Sequence, residues 1–248
     1  MGKPSVITVD FNRLRIKPGF KILDIGCGSG RHTCAASRLE QVVAIGSDIN
    51  IDDLAEARKR LTYEEKLGEQ GGGVWGTVVA DVNCLPFKSH SFDLVICSEV
   101  LEHIGDQDRA VQEATRVLKP EKDLVVSVPR YLPERICWAL SEEYHTASDG
   151  HLRIYKKSQL TRLLEKAGAK KWAVHFAHSF HTPFWWLKCL VGPTREDSRL
   201  VNLYHGFLVW DMMHPTRILR LLDNLLNPVL GKSVVLYLRK ERNVQSRN

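Results

Sequence analysis

Three alternating glycines near the N-terminus could hold a nucleoside. They stand in the sequence Asp24-Ile25-Gly26-Cys27-Gly28-Ser29-Gly30. Glycine lets the backbone turn sharply, and it lets a ligand approach where a Cβ atom would otherwise stand. Asp48 ends the next apolar segment, and its carboxylate can accept hydrogen bonds from two ribose hydroxyls. The glycines alone would also suit a tight turn between a strand and a helix, but together with Asp48 they predict a site for a nucleoside cofactor.

The segments around these residues alternate between apolar strands and amphipathic helices. Strands are predicted at 21–26, 41–48, 77–81, 92–99, 123–129, 171–179 and 233–240, and helices at 29–40, 51–61, 108–118 and 159–168. Continuous runs of Val, Ile and Leu between amphipathic helices indicate a parallel sheet that is covered on both faces. The sequence therefore predicts an α/β fold with a doubly wound sheet, in which the glycines follow the carboxyl end of the first strand.

Charge is distributed unevenly along the 248 residues. Residues 1–150 carry 18 basic and 23 acidic side chains, whereas residues 151–248 carry 17 and 6. The basic C-terminal part favours an anionic partner, such as a phosphate-bearing substrate, a nucleic acid or an acidic membrane surface. Hydrophobic residues make up 44% and charged residues 26% of the chain. This composition excludes a disordered, collagen-like or low-complexity protein.

The spacing of the cysteines and the hydropathy of the chain indicate the cellular compartment in which the protein works. The six cysteines include no CxxC pair, so neither a zinc site nor a disulfide framework is expected. Residues 1–10 lack the apolar centre of a signal peptide. The uncharged stretch 172–187 is too short and too polar to span a bilayer. We therefore expect a reducing, cytoplasmic location, or one at the inner face of a membrane.

Several motifs resemble the class I S-adenosylmethionine-dependent methyltransferases. They are ILDIGCGSG at 22–30 with Asp48, then Ala80-Asp81, LPF at 85–87, SFDLVICSEVLEHI at 91–104 and RVLKPEKDLVVSVP at 116–129. The resemblance covers about residues 18–130 and is nearest to the branch with the ubiquinone, menaquinone and many small-molecule methyltransferases. It implies S-adenosylmethionine as cofactor and a seven-stranded, Rossmann-like sheet whose last strand, at 233–240, is antiparallel. A dinucleotide, the rival cofactor, would usually require GxGxxG instead of GxGxG.

The same resemblance assigns cofactor contacts along the chain. Gly26, Gly28 and Gly30, with Cys27 between them, would line the methionine and ribose portion, and Asp24 would organise the methionine end. Asp48, followed by Ile49, would bind the ribose hydroxyls. Asp81 would accept from the adenine amine, Val82 would donate through its backbone, and Ser98 would lie beside the sulfonium. A carboxylate accepts hydrogen bonds only, which suits the hydroxyl and amine donors.

His103, in the sequence VLEHI, is the first candidate for a general base or for a residue that orients the methyl acceptor. A histidine packed at the start of a helix and bonded to the sheet explains the same position. Glu99 and Glu102 are interpreted as local structure. A base is required only if the acceptor must lose a proton.

Residues 144–155 contain further candidates for acceptor contact, namely His145, His151, Arg153 and Tyr155. An ordinary polar loop before a helix capped by Ser158 is the alternative. His175, His178 and His181 could suggest a metal, but the alternation of side chains along a strand would not place all three on one face. No metal is expected.

Residues 180–232 are too many for a plain hairpin connection, and structureless loops of this length are uncommon. We predict a helical insertion within a core of residues 1–179 and 233–248. Its apolar residues recur at helical spacing, which is typical of helices that bury one face in a core. The same segment combines Trp with basic residues, which is the composition of a helix at a lipid interface. The insertion could thus form a lid, an acceptor pocket or a membrane-facing surface.

Together these features predict a methyltransferase that acts on a small, hydrophobic or lipid-linked acceptor, at oxygen. The basic C-terminal part leaves an RNA methyltransferase open, although no RNA-binding module is recognisable and no nucleic-acid partner is expected. A third interpretation is a catalytically inactive adaptor that still binds the cofactor.

Overall fold

The computed structural model describes residues 6–146 and 150–242. Its strands are β1 (Lys21–Ile25), β2 (Val43–Asp48), β3 (Val74–Val79), β4 (Phe92–Ser98), β5 (Leu118–Pro129), β6 (Ala169–Ala177) and β7 (Ser233–Lys240). They form one sheet in the order β3-β2-β1-β4-β5-β7-β6. The first five strands are parallel, and β7 runs antiparallel between β5 and β6. The predicted seven-stranded, doubly wound sheet with an antiparallel last strand is confirmed.

Nine α-helices are present in the described part of the chain. They are α1 (Arg31–Ser37), α2 (Ile51–Lys66), α3 (Gln107–Val117), α4 (Tyr131–Leu140), α5 (Glu142–Thr146), α6 (Lys157–Lys166), α7 (His181–Val191), α8 (Arg199–Met213) and α9 (Arg217–Leu230). Successive residues of the central strands enter different cores: Leu94 packs in one apolar cluster and Val95 in the other. The sheet is therefore covered on both faces, which explains why its strands read as continuous apolar runs.

Several boundaries differ from the sequence predictions, and two helices were not predicted. Strand β5 begins at Leu118 instead of residue 123, because Leu118 pairs with Phe92 of β4. Strand β3 begins at Val74 and ends at Val79, so Asp81 lies in the segment after the strand. Helices α4 and α5 occupy a region where no helix was predicted. Helix α4 packs against α7, and the indole N–H of Trp186 donates to the carbonyl oxygen of Pro133 over 3.0 Å.

The predicted helical content of residues 180–232 is confirmed, since α7, α8 and α9 occupy most of this segment. Its assignment as a separate insertion, with a role as lid, acceptor pocket or membrane-facing surface, stays a prediction. None of the described helices has both the length and the apolar character that a bilayer span needs.

Candidate functional site

The loop after β1 takes a conformation that requires glycine. Gly26, Gly28 and Gly30 have φ values of +63°, +50° and +80°, in the left-handed region that glycine adopts without steric penalty. A Cβ atom on Gly30 would lie only 2.8 Å from the Cβ of Ala57 in α2. A Cβ atom on Gly28 would meet nothing within 4 Å. The loop is therefore tightly packed against α2 at Gly30 and open to a ligand at Gly28.

Asp48, the last residue of β2, is fixed beside this loop. Its Oδ2 atom accepts a hydrogen bond from the backbone N–H of Gly28 over 2.8 Å, and its Oδ1 atom accepts from the backbone N–H of Asn50 over 2.9 Å. Because each carboxylate oxygen has two acceptor sites, each can still accept from a ribose hydroxyl. The next side chain, Ile49, is 69% exposed and offers an apolar surface at the same edge.

Asp24 and Cys27 lie beneath the loop, with their side chains inside the protein. The carboxylate of Asp24 accepts a hydrogen bond from the hydroxyl of Thr33 over 2.7 Å. Burial raises the pKa of Asp24 to about 6 and also raises the pKa of the Cys27 thiol. Both side chains support the loop from below, and their predicted contacts with the cofactor stay predictions.

The remaining predicted cofactor residues follow β3 and β4. Asp81 is exposed, and its Oδ1 atom accepts from the backbone N–H of Asn83 over 2.8 Å, whereas Val82 is buried. Ser98 is buried at the end of β4, with its hydroxyl 2.8 Å from that of Ser127. Since β3, β2, β1 and β4 are parallel neighbours, all these strand ends reach the same edge of the sheet.

This edge fits S-adenosylmethionine. The ribose hydroxyls and the adenine amine of the cofactor are hydrogen-bond donors, and Asp48 and Asp81 present acceptor oxygens. The open space beside Gly28 leaves room for the ligand next to Asp48, and the exposed Ile49 offers an apolar surface to the base. These residues would hold the ribose and the adenine.

A cavity of about 440 Å³ opens beside the glycine loop. Arg31, directly after the loop, and Glu99, directly after β4, both line it. Tyr144 and Trp185 form an aromatic wall, with ring centroids 5.7 Å apart. The volume is typical of a site for a small molecule. A larger groove of about 670 Å³ runs along α2 and β3, but none of the predicted site residues lines it.

Two neutral histidines occupy one side of the cavity. The ring centroids of His178 and His181 lie 5.5 Å apart. Burial lowers the pKa of His181 to about 4 and the pKa of His178 well below its usual range. A group with such a pKa is a weak base at neutral pH. His175 lies apart from this pair, with its ring packed 5.6 Å from that of Tyr237.

His151 also lines the cavity and bonds to a buried ion pair. Its Nδ1 atom lies 2.7 Å from Oε1 of Glu134, whose other oxygen accepts from the ammonium group of Lys232. Glu134 is fully buried. Although burial opposes ionisation of Glu134, its bonds to His151 and Lys232 lower its pKa to about 2. An ionised carboxylate accepts only, so the Nδ1 atom of His151 donates to Glu134.

His103 lies next to His151, with ring centroids 5.0 Å apart. It ends a short 3₁₀ helix, Leu101–His103, in which Glu102 is fully buried. One ligand atom from each of Glu102, His103 and His151 lies within 4.8 Å of the other two. The structure therefore brings two of the predicted catalytic residues together, along with a glutamate that the sequence analysis interpreted as local structure.

The other two predicted catalytic residues lie apart from the cavity lining. His145 is exposed on α5, and its ring packs 4.1 Å from that of Trp138. Tyr155 is buried, and its hydroxyl donates to the side-chain oxygen of Gln107. Arg153 donates to the carbonyl oxygen of Gly105 over 3.1 Å. Their contacts with an acceptor stay predictions, and residues 147–149 of the same segment lie outside the described residues.

Sequence reasoning missed several residues that line or support the cavity. Glu134 stands 17 positions before His151 and 98 positions before Lys232, so no local pattern connects the three. Trp185 was covered only by the general tryptophan content of residues 180–232. Arg31 had a signal that could have found it, because it directly follows the glycine loop.

Comparison with known proteins agrees with this geometry. Residues 23–126 match a family model described as a methyltransferase domain. The chain is 29% identical to methyltransferase GfsG of Streptomyces halstedii over 163 residues, which are 64% of this chain and 55% of that protein. It is 36% identical to the ubiquinone/menaquinone biosynthesis C-methyltransferase UbiE of Pasteurella multocida over 111 residues, 45% of this chain and 40% of that protein. The chain thus spans about half the length of the curated relatives it matches.

A solved structure of a SAM-dependent methyltransferase from Methanosarcina mazei shares the fold. The TM-score is 0.58 at 17% identity, with 91% of this chain and 94% of that chain covered. Fold similarity at this identity does not transfer a substrate. Residues 23–126, which include the glycine loop and most of the motifs, are therefore similar to a methyltransferase domain, and the fold of the chain is that of SAM-dependent methyltransferases.

Proposed function

We propose that the protein transfers a methyl group from S-adenosylmethionine to an oxygen atom of a small, hydrophobic or lipid-linked acceptor. The cavity of about 440 Å³ carries this proposal, because Arg31 after the glycine loop and Glu99 after β4 both line it. An acceptor in the cavity would therefore lie beside the two segments assigned to the cofactor. The apolar rings of Tyr144 and Trp185 in the wall favour a hydrophobic acceptor.

When bound, the cofactor supplies a methyl group that its positive sulfur activates. Transfer to a hydroxyl forms an oxygen–carbon bond and breaks the carbon–sulfur bond, with the electron pair left on sulfur and the hydroxyl proton released. The protein's part is to hold the acceptor in line and to exclude water, and positioning alone can supply much of the acceleration. His103 and His151 lie together beside the wall and are the groups assigned to assist the acceptor oxygen.

Helix α9 supports a lipid-linked acceptor, because Asp223 and Asn227 face the protein whereas five of its apolar residues face outward. Asp223 and Asn227 accept hydrogen bonds from the backbone N–H of Ser179, over 2.9 and 3.0 Å. The outward residues Ile218, Leu221, Leu222, Leu225 and Val229 are 41–73% exposed and recur at helical spacings of three and four. An exposed apolar stripe of this kind marks a surface that contacts lipid or another protein.

Helix α8 extends the apolar surface, with Leu200, Leu203, Trp210 and Met213 between 46% and 74% exposed. Exposed basic side chains flank both helices, namely Arg195, Arg199, Arg217 and Arg220. Apolar residues with adjacent arginines suit the boundary between acyl chains and anionic headgroups. We propose that α8 and α9 contact the cytoplasmic face of a membrane, where the cavity can receive its acceptor.

Incubation with methyl-labelled S-adenosylmethionine and a cell lipid extract, or in parallel total RNA, tests this function. We expect label in the lipid fraction, with a base-stable bond typical of an ether. Label in RNA would replace the proposal with an RNA methyltransferase. Cofactor binding without any transfer would favour the inactive adaptor.

A further inference from the structure

A buried carboxylate lies close to His151, which lines the cavity, and has no hydrogen-bond donor within the described chain. Glu102 is fully buried, and within the described chain neither of its carboxylate oxygens meets a hydrogen-bond donor. Burying a carboxylate without a partner costs free energy, because the group loses hydration and gains nothing in exchange. A cation at this point would offset that cost.

The imidazole rings of His103 and His151 lie close to the carboxylate of Glu102. One ligand atom from each of Glu102, His103 and His151 lies within 4.8 Å of the other two. Ligand atoms that are about 2.0–2.2 Å from a shared ion lie about 3–4 Å from one another. Small rotations of the three side chains would bring their ligand atoms from within 4.8 Å to this separation.

His151 is bonded to a carboxylate through one ring nitrogen, as histidines that bind metals commonly are. The Nδ1 atom of His151 bonds to Glu134 over 2.7 Å, and Lys232 holds the other oxygen of that carboxylate. This bond fixes the orientation of the ring and engages Nδ1, so that Nε2 is the ring nitrogen that could bind an ion. Carboxylates that orient metal-ligating histidines in this way strengthen metal binding.

We propose that Glu102, His103 and His151 bind a divalent first-row transition ion, Zn²⁺ or Mn²⁺, with Glu134 orienting His151. Two nitrogen ligands and one oxygen suit these ions, whereas Mg²⁺ and Ca²⁺ prefer oxygen ligands alone. The sequence analysis expected no metal, on the basis of the cysteine spacing and of His175, His178 and His181. None of those residues belongs to the site proposed here.

The proposed ion would also narrow the class of acceptor. Three protein ligands leave at least one coordination position open, and His151 lines the cavity. An acceptor with a hydroxyl or enol oxygen could complete the coordination, and an ion lowers the pKa of an oxygen ligand. This step rests on the proposed function, whereas the metal site itself does not.

Titration calorimetry of protein without a polyhistidine tag, stripped with a chelator, tests the site with Zn²⁺, Mn²⁺ and Mg²⁺ as probes. We expect one Zn²⁺ or Mn²⁺ per chain, and an affinity at least about tenfold lower in Glu102→Gln and His151→Gln. Glu134→Gln should weaken binding by about 10–100-fold. Glu165→Gln and His205→Gln, which change exposed residues elsewhere, should bind as the unmodified protein does.

The proposal fails if no ion binds stoichiometrically, if the two ligand variants keep full affinity, or if Mg²⁺ binds in preference to both other ions. Should the variants not fold, Co²⁺ absorption of the unmodified protein gives an independent answer. Bands of nitrogen-ligated Co²⁺ support the site, and the spectrum of the aqueous ion rejects it. Calorimetry with S-adenosylhomocysteine on the same stripped protein separates the two proposals, because retained binding without a metal rejects only the metal site.

Discussion

The Nε2 atom of His32 accepts a hydrogen bond from the backbone N–H of Thr8 over 3.1 Å. His32 lies in the first turn of α1 and is 2% exposed, whereas Thr8 lines the acceptor cavity. This bond ties the N-terminal segment to the helix that follows the glycine loop. Burial, with a smaller contribution from Arg31, lowers the pKa of His32 to about 3, which keeps the ring neutral and able to accept.

Acid should therefore weaken the protein through His32. Because the pKa of His32 is lower in the folded than in the unfolded chain, its stabilisation is complete above about pH 6.5 and is lost as the pH falls toward 3. The loss attributable to this residue should reach about 2 kcal/mol at pH 5. Urea unfolding from pH 7.5 to 4.5 measures it, and His32→Gln, which cannot titrate, should show a shallower pH dependence. Parallel profiles for the two proteins would contradict this assignment.

Asp48→Ala should weaken the binding of S-adenosylmethionine and of S-adenosylhomocysteine. Hydrogen bonds to a charged group contribute about 1.5–3 kcal/mol each, so loss of the ribose acceptors should lower affinity at least about tenfold. Calorimetry measures the change. Asp52→Asn, in the first turn of α2, is a matched control that should bind normally. Equal affinity in Asp48→Ala and the control would remove Asp48 from the ribose site.

The arrangement of the glycine loop beside Asp48 could be predicted from the sequence because its signals are local. Glycines at alternate positions and Asp48 at a strand end are visible along the chain, and the apolar run at 233–240 coincides with β7. The support of His151 had no such signal, since Glu134 and Lys232 are brought together only by the tertiary fold. Helix α4 was missed for a related reason. It contains Pro133, its N-cap residue Arg130 makes no side-chain capping bond, and its packing against α7 links distant segments.

Two glycines with nearly the same backbone angle should respond differently to alanine. Gly30 and Gly72 have φ values of +80° and +78°, so Ala is strained by about 1–2 kcal/mol at either position. At Gly72 the added methyl group would meet nothing within 4 Å, whereas at Gly30 it would lie 2.8 Å from the Cβ of Ala57. Gly30→Ala should therefore cost about 1–3 kcal/mol more than Gly72→Ala in the free energy of unfolding. Equal costs would mean that α1 and α2 separate freely at this point.

The outward face of α9 should bind lipid through its leucines. Leu221 and Leu225 are 70% and 72% exposed, and burying a leucine side chain contributes about 1.5–3 kcal/mol. The double variant Leu221→Gln and Leu225→Gln should thus partition at least about tenfold more weakly into phosphatidylglycerol-containing vesicles, as measured by flotation. Leu67→Gln with Val74→Gln changes two exposed apolar residues at the end of α2 and on β3, and it should float as the unmodified protein does.

Arg217 and Arg220 should make the binding dependent on charge, so vesicles of phosphatidylcholine alone should bind less protein than anionic vesicles do. If the unmodified protein stays in the dense fraction with anionic vesicles, the membrane assignment of α8 and α9 is wrong, while the cofactor site remains untouched by that result.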